Sequence, residues 1–160
     1  MIAEIYRPME ANGDRLPKLG LGCKKLGIRE QEIVLNEDSM VIDKNGLSVA
    51  TSLNGVTKLP KFLLPFEAGG RLLPLTVSEK RDTSLFQFRS EEYEPFSLDK
   101  AISCDLKLNA KAHKKELSYV SPNKPMPVDK FKAAVDETQD KWSLCDWETV
   151  ADSVNELNGY

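Results

Sequence analysis

One histidine, three cysteines and a scatter of hydroxyl, guanidinium and carboxylate groups are what this 160-residue chain offers for chemistry. A Ser-His-Asp relay would have to use His113, which sits in the lysine-rich run "NAKAHKKEL" with no nucleophile elbow beside it. Cys23, Cys104 and Cys145 are odd in number and widely spaced, without a CxxC, and a single histidine completes no familiar zinc pattern. We expect three reduced thiols and no metal. "GLGCKKLG" lacks the spacing and the Lys-Ser/Thr end of a phosphate loop, and "LGLGCKKLG" does not match the dinucleotide fingerprint. Glu91, Glu92 and Glu94 in "RSEEYEPFS" read as a surface loop rather than an acid/base pair. Lys107, Lys111, Lys114 and Lys115 flank His113, but the chain carries a net charge of -3. That balance gives no global basic field for nucleic acid, so the run reads as a solvated face.

Three pieces remain. "IYRPM" sets Tyr6 and Arg7 at the end of a short apolar run, and "NGLSVATS" places Ser48 among small residues after a glycine. "LSYVSPNKPMPVDKFKAAVDETQDKW" carries a strand through proline into a helix. The elements that would hold them follow from the patterning. Residues 2–7 alternate as a strand, and Ile33–Leu35 and Met40–Ile42 read as short strands. "GLSVAT" is a strand with Leu47 and Val49 on one side and Ser48 and Ala50 on the other. Residues 85–89, "AISCDLKL" and "ELSYVSP" supply further strands, the last stopped by Pro122. The prolines at 60, 65 and 74 and the Gly69–Gly70 pair make residues 58–75 a long ordered loop.

Helices fall late. Val128, Phe131, Val135 and Trp142 approach helical spacing, with Pro127 at the first helical position. Trp147, Val150, Ala151, Val154 and Leu157 form one apolar stripe, capped by Asp146 and ended by Gly159. The pattern is α+β, mainly antiparallel. An apolar share of 41% over this length supports one domain with a real core. "MIAEIYRPME" has no basic start and apolar run, and no window approaches a membrane span. We therefore expect a soluble protein, cytoplasmic in its producer, with no membrane partner.

In this order and spacing the pieces resemble the ADP-ribosyltransferase-fold toxins exported by bacterial type VI secretion. The resemblance runs over roughly residues 5–142. It rests on Tyr6–Arg7, "KLGIR" at 25–29, "NGLSV" at 45–49, "KLPKFLLPFEAGG" at 58–70, "SPNKPM" at 121–126 and "FKAAVDETQDKW" at 131–142. It implies two facing, mostly antiparallel β-sheets that form a crevice for NAD, over residues 1–145. Residues 146–160 lie beyond it, as a helical extension packed on the domain.

The resemblance further implies that Arg7 contacts the dinucleotide and that Ser48 is the second-motif hydroxyl, the two catalytic candidates. Tyr6, Asn45, Gly46 and Tyr119 would line the cofactor. A glycine before the serine would let the cofactor approach the backbone, and a late Glu would stabilise the cation left as nicotinamide departs. The slot that relatives fill with a His-(Gly/Tyr) pair is Leu117–Ser118 here, and Ser121 stands just before the strand-ending Pro, where the resemblance implies a Glu. Glu116 is the nearest carboxylate. Implied partners are a cognate immunity protein, a component of the secretion apparatus and an unidentified acceptor, with delivery into a target cell's cytoplasm. Two readings stay open: an NAD-dependent transferase or glycohydrolase, or a catalytically inactive module of the same fold that grips a protein or another nucleotide. For Ser48 the alternative is a small core or backbone-bonded serine.

Overall fold

The computed structural model describes residues 3–20, 24–28, 33–44, 46–59, 67–68, 71–72, 83–90, 100–101, 105–110, 116–157 and 159. The chain runs β1 (Ala3–Met9), β2 (Leu47–Ala50), α1 (Leu53–Val56), β3 (Glu67–Ala68), β4 (Arg71–Leu72) and β5 (Ser84–Ser90). It continues through β6 (Lys100–Ala101), β7 (Leu106–Ala110), β8 (Leu117–Pro122), α2 (Val128–Asp136), a 3-10 turn (Gln139–Lys141), β9 (Trp142–Leu144) and α3 (Trp147–Leu157).

The fold is α+β, antiparallel, with its longer helices C-terminal, as the patterning predicts. Hydrogen bonding runs in the order β6-β7-β8-β2-β1-β5-β9, a single seven-stranded sheet, and β3–β4 form a separate two-stranded hairpin. Two facing sheets were expected. Among the described residues β2 bridges what would be their halves, because it pairs with β8 on one side and β1 on the other. The bridge is thin: β1 meets β2 at one register pair, Tyr6↔Ala50, while β1 and β5 share seven, from Ala3↔Ser90 to Met9↔Ser84.

Period-two alternation gives the sheet two faces. Ile5, Met9, Leu47, Val49, Phe86, Phe88, Leu106, Leu108 and Val120 point to the first. There they pack on Phe131, Ala134 and Val135 of α2 and on Leu26, Ile28, Val41 and Met126 from loops. Tyr6, Ala50, Leu85 and Leu117 point to the second, against Val56, Leu59, Val150, Ala151 and Val154. Burying the three α3 side chains stabilises its docking by roughly 4–6 kcal/mol before ordering entropy is subtracted. Val150, Ala151 and Val154 of α3 are thus part of the second core cluster.

The helix ends are chemically specified. Pro127 immediately precedes α2 as its N-cap, one position before the expected site. Thr149 Oγ1 donates to Asp146 Oδ2 (2.8 Å) and the Val150 N–H to the Asp146 carbonyl, opening α3. Gly159 follows α3 with φ +82°. The expected helical stripe does not extend to Trp142. The chain leaves α2 at Asp136. Thr138 Oγ1 then donates to the Val135 carbonyl (2.7 Å) and accepts from Trp142 Nε1 (3.1 Å). Trp142 thereby enters β9 opposite Phe88, with ring centroids 5.4 Å apart.

Most of the expected 58–75 loop lies outside the described residues, as do Asn45, Cys23, Cys104, Glu91, Glu92, Glu94, Lys111, His113, Lys114 and Lys115. Among the described residues, no helix is long and apolar enough to cross a membrane.

Candidate functional site: a polar half of the second sheet face

Arg7 and Ser48 come together through the main chain, with their side chains on opposite faces. Arg7 alternates with Ile5 and Met9 toward the first face and is 5% exposed. Its Nη1 donates to the Ser48 carbonyl (2.7 Å) and its Nη2 to the Lys25 carbonyl (3.0 Å). Continuing the Tyr6↔Ala50 register by two residues sets Pro8 across from Ser48. Proline has no N–H to give the ladder, and the guanidinium supplies a donor to that carbonyl instead. One side chain therefore joins three of the sequence pieces: "IYRPM", "KLGIR" and "NGLSV".

The glycines of two of those pieces serve chain packing. A Cβ on Gly46 would lie 1.9 Å from the Val120 carbonyl oxygen. A Cβ on Gly27 would lie 1.8 Å from the Gly20 carbonyl oxygen. At Gly46 the close approach is made by β8 backbone, where the resemblance implied a cofactor.

Ser48 itself faces the second side, where three adjacent strands present a row at one level. Ser48 on β2 is opposite Tyr119 on β8, which is opposite Asn109 on β7. All three are half-buried. One step along, Lys107 is opposite Ser121, which is fully buried. Asn109 Nδ2 donates to Ser121 Oγ (2.7 Å) and to the Asp43 carbonyl (3.3 Å). The Tyr119 hydroxyl donates to the same carbonyl (2.9 Å), and Lys107 Nζ to Asp43 Oδ2 (2.8 Å). Asp43 is thus held at the lip of the row by three side chains from β7 and β8. The Lys107 hydrogen bond keeps its carboxyl below the usual value, against a smaller opposing effect of burial.

Tyr6 also points to this face but lies in its apolar half. It is 7% exposed, packed in the cluster with Ala50, Leu85 and Val56, and its hydroxyl accepts from Gln87 Nε2 (3.3 Å). Leu117 and Ser118 are both buried, on opposite faces.

Glu116, the nearest sequence candidate for a carboxylate, immediately precedes β8 with φ +64°. Its Oε2 accepts from Lys58 Nζ (2.9 Å) and Asn54 Nδ2 (2.9 Å). Lys58 first, then Asn54, hold its carboxyl below the ordinary value, so it is ionised at neutral pH. Its main-chain carbonyl accepts from the Thr51 N–H, fixing it at the far end of β2 from Gly46. No group of three or more metal-ligating side chains occurs among the described residues.

Sequence reasoning did not single out Asn109, Ser121 or Asp43 as members of a site, and it read Lys107 as solvated. A signal was available: in "DLKLNA" Leu106 and Leu108 alternate with Lys107 and Asn109, which puts the two polar groups on one face. No family model matches the chain, and neither a curated protein nor a solved structure shows significant similarity to it.

Proposed function

We propose that this chain is a binding module, related in architecture to the ADP-ribosyltransferase-like toxins, that grips a nucleotide or protein ligand on the second sheet face without turning NAD over. The observation that carries this is the Ser48–Tyr119–Asn109 row. It offers a hydroxyl, an aromatic ring and an amide side by side on three strands. Among the described residues the helices pack on the other half of that face, over Tyr6, Ala50, Leu85 and Leu117. Such a rigid, mixed platform suits recognition. Arg7 is engaged with two carbonyls on the opposite face, which takes the expected dinucleotide contact out of the row. The thin β1–β2 seam between a four-strand and a three-strand group supports kinship with a two-sheet architecture.

A catalytic reading is favoured by one observation, the ionised Glu116 held at the start of β8 by Lys58 and Asn54. On that reading the chain is a toxin that cleaves NAD in a target cell's cytoplasm, with a cognate immunity protein and a secretion-apparatus partner. Calorimetric titration with NAD, run beside an assay for released nicotinamide, separates the two. Saturable binding lost in Ser48→Ala and Asn109→Ala, without nicotinamide release, is the expected result. Release abolished by Glu116→Gln would establish the enzyme. A folded protein that neither binds NAD nor releases nicotinamide would move the ligand to another nucleotide or a protein.

A further inference from the structure

We propose that the hairpin over residues 33–44 is a docking edge for an extended, basic segment of a partner polypeptide, added as an extra strand. This goes beyond the reading of the Ser48 face and does not depend on it.

The hairpin is built by Asn36. Its Oδ1 accepts from the Asp38 and Met40 N–H groups (2.9 and 3.0 Å), and Ser39 takes φ +61° to close the turn. Asn36 N–H donates to the Met40 carbonyl and Ile42 N–H to the Val34 carbonyl. Leu35 stands opposite Val41 between those two bonds. Leu35 is therefore in a non-hydrogen-bonded pair, and its own N–H and C=O point away from the hairpin. On the inner arm the equivalent groups of Val41 are used, since Val41 and Met126 exchange both main-chain bonds (2.7 and 3.2 Å). On the outer arm, no main-chain bond to Leu35 occurs among the described residues. Among the described residues the edge is thus an open strand template.

Two further features choose the occupant. Leu35 is 48% exposed, one of the large apolar side chains left in solvent. An open groove of about 690 Å³ runs alongside, lined by Val34, Leu35, Ile42, Asn36, Glu37 and Asp38, with Lys44 at its other end. Val34 and Ile42 form an apolar floor, and the carboxylates of Glu37 and Asp38 are exposed at the turn. Among the described residues neither carboxylate is in an ion pair, whereas nearby Asp43 is committed to Lys107. An added strand would gain main-chain bonds from Leu35, seat an alternate apolar side chain on the floor, and set Lys or Arg against the turn.

The probe is a ten-residue peptide alternating lysine and valine, with a glutamate–valine peptide as control, followed by fluorescence anisotropy at low salt. Saturable binding of the basic peptide alone is expected. It should weaken at least tenfold in the double variant Glu37→Lys/Asp38→Lys and in Leu35→Pro, which removes the outward N–H. Circular dichroism and the melting temperature check that Leu35→Pro stays folded; if it does not, Leu35→Asp replaces it. Protection of the Leu35 amide from hydrogen exchange on binding would locate the strand. Equal binding of the acidic peptide, unchanged affinity in the charge-reversed variant, or no saturable binding would overturn the proposal. A concentration-dependent dimer broken by Leu35→Pro would also overturn it, by assigning the edge to a second copy.

Discussion

Replacing Arg7 by methionine tests whether that guanidinium is a ligand group or a staple between chain segments. The side chain is 5% exposed and donates to the carbonyls of Ser48 and Lys25 at 2.7 and 3.0 Å. A hydrogen bond to a charged group contributes about 1.5–3 kcal/mol net of desolvation, so the pair amounts to roughly 3–6 kcal/mol. Methionine fills the space of the side chain but donates to neither carbonyl, so the lower end of that range, about 3 kcal/mol, is the expected loss. For a chain of this size that is a fall in melting temperature of roughly 6–12 °C. Urea unfolding followed by far-ultraviolet circular dichroism measures it directly, with the slope unchanged if only the native state is affected. Arg7→Lys should recover part of the loss, since one ammonium reaches one carbonyl better than two. A loss below about 0.5 kcal/mol, the range of neutral surface changes, accompanied by loss of ligand binding, would refute the staple and return Arg7 to a direct contact.

Gly46→Ala should cost about 3 kcal/mol or more in urea unfolding, because its Cβ would meet the Val120 carbonyl oxygen at 1.9 Å. Gly13→Ala, with nothing within 4 Å, should stay within about 0.5 kcal/mol; equal effects would refute the packing role. The Asp43 carboxyl lies below its ordinary 3.8 when folded, chiefly through Lys107. Its contribution is therefore present above about pH 4 and lost as pH falls through the lowered value. Asp43 is 54% exposed, so that contribution stays under ~1 kcal/mol. The urea-midpoint gap between wild type and Asp43→Asn should accordingly close below pH 4, and a gap constant with pH would contradict the ion pair. Burial pushes the Cys145 thiol from 9.0 to about 11. At pH 8 it should alkylate about 100-fold more slowly than a free cysteine, read by peptide mass spectrometry, and parity would refute that burial.

Period-two patterning made most of the sheet legible. Leu47 and Val49 reach the first core cluster and Ala50 the second, as the alternation in "GLSVAT" requires. The α3 stripe was equally clear, because Val150, Ala151 and Val154 repeat at helical spacing and are buried. Trp142 shows where spacing misleads. It lies seven residues after Val135, a helical interval, yet Thr138 intercepts both chain and indole. Ser48 facing away from the first core could be read, but that Arg7 faces the other way depends on how β1 registers with a strand from a distant segment. Nor does any local pattern reveal that Gly46 is reserved for the Val120 carbonyl, a contact between segments over 70 residues apart. Asn109 and Ser121 became site residues only when β7 and β8 were set side by side.

The interior position of β1 has a consequence for how the molecule assembles. β1 is flanked by β2 and β5, and Tyr6, paired with Ala50 on one side, must wait for Gln87, 81 residues later, to find its partner on the other. β2 in turn waits for β8, where Ser48 meets Tyr119. Each pairing closes a long loop before local contacts reward it, which places this chain among slow folders of high contact order. A chain ended after β5 would hold β1 between β2 and β5 while leaving the β8-facing edge of β2 open. Ribosome-bound chains of that length should therefore be the most dependent on chaperones, and the dependence should fall once residues 117–122 have emerged.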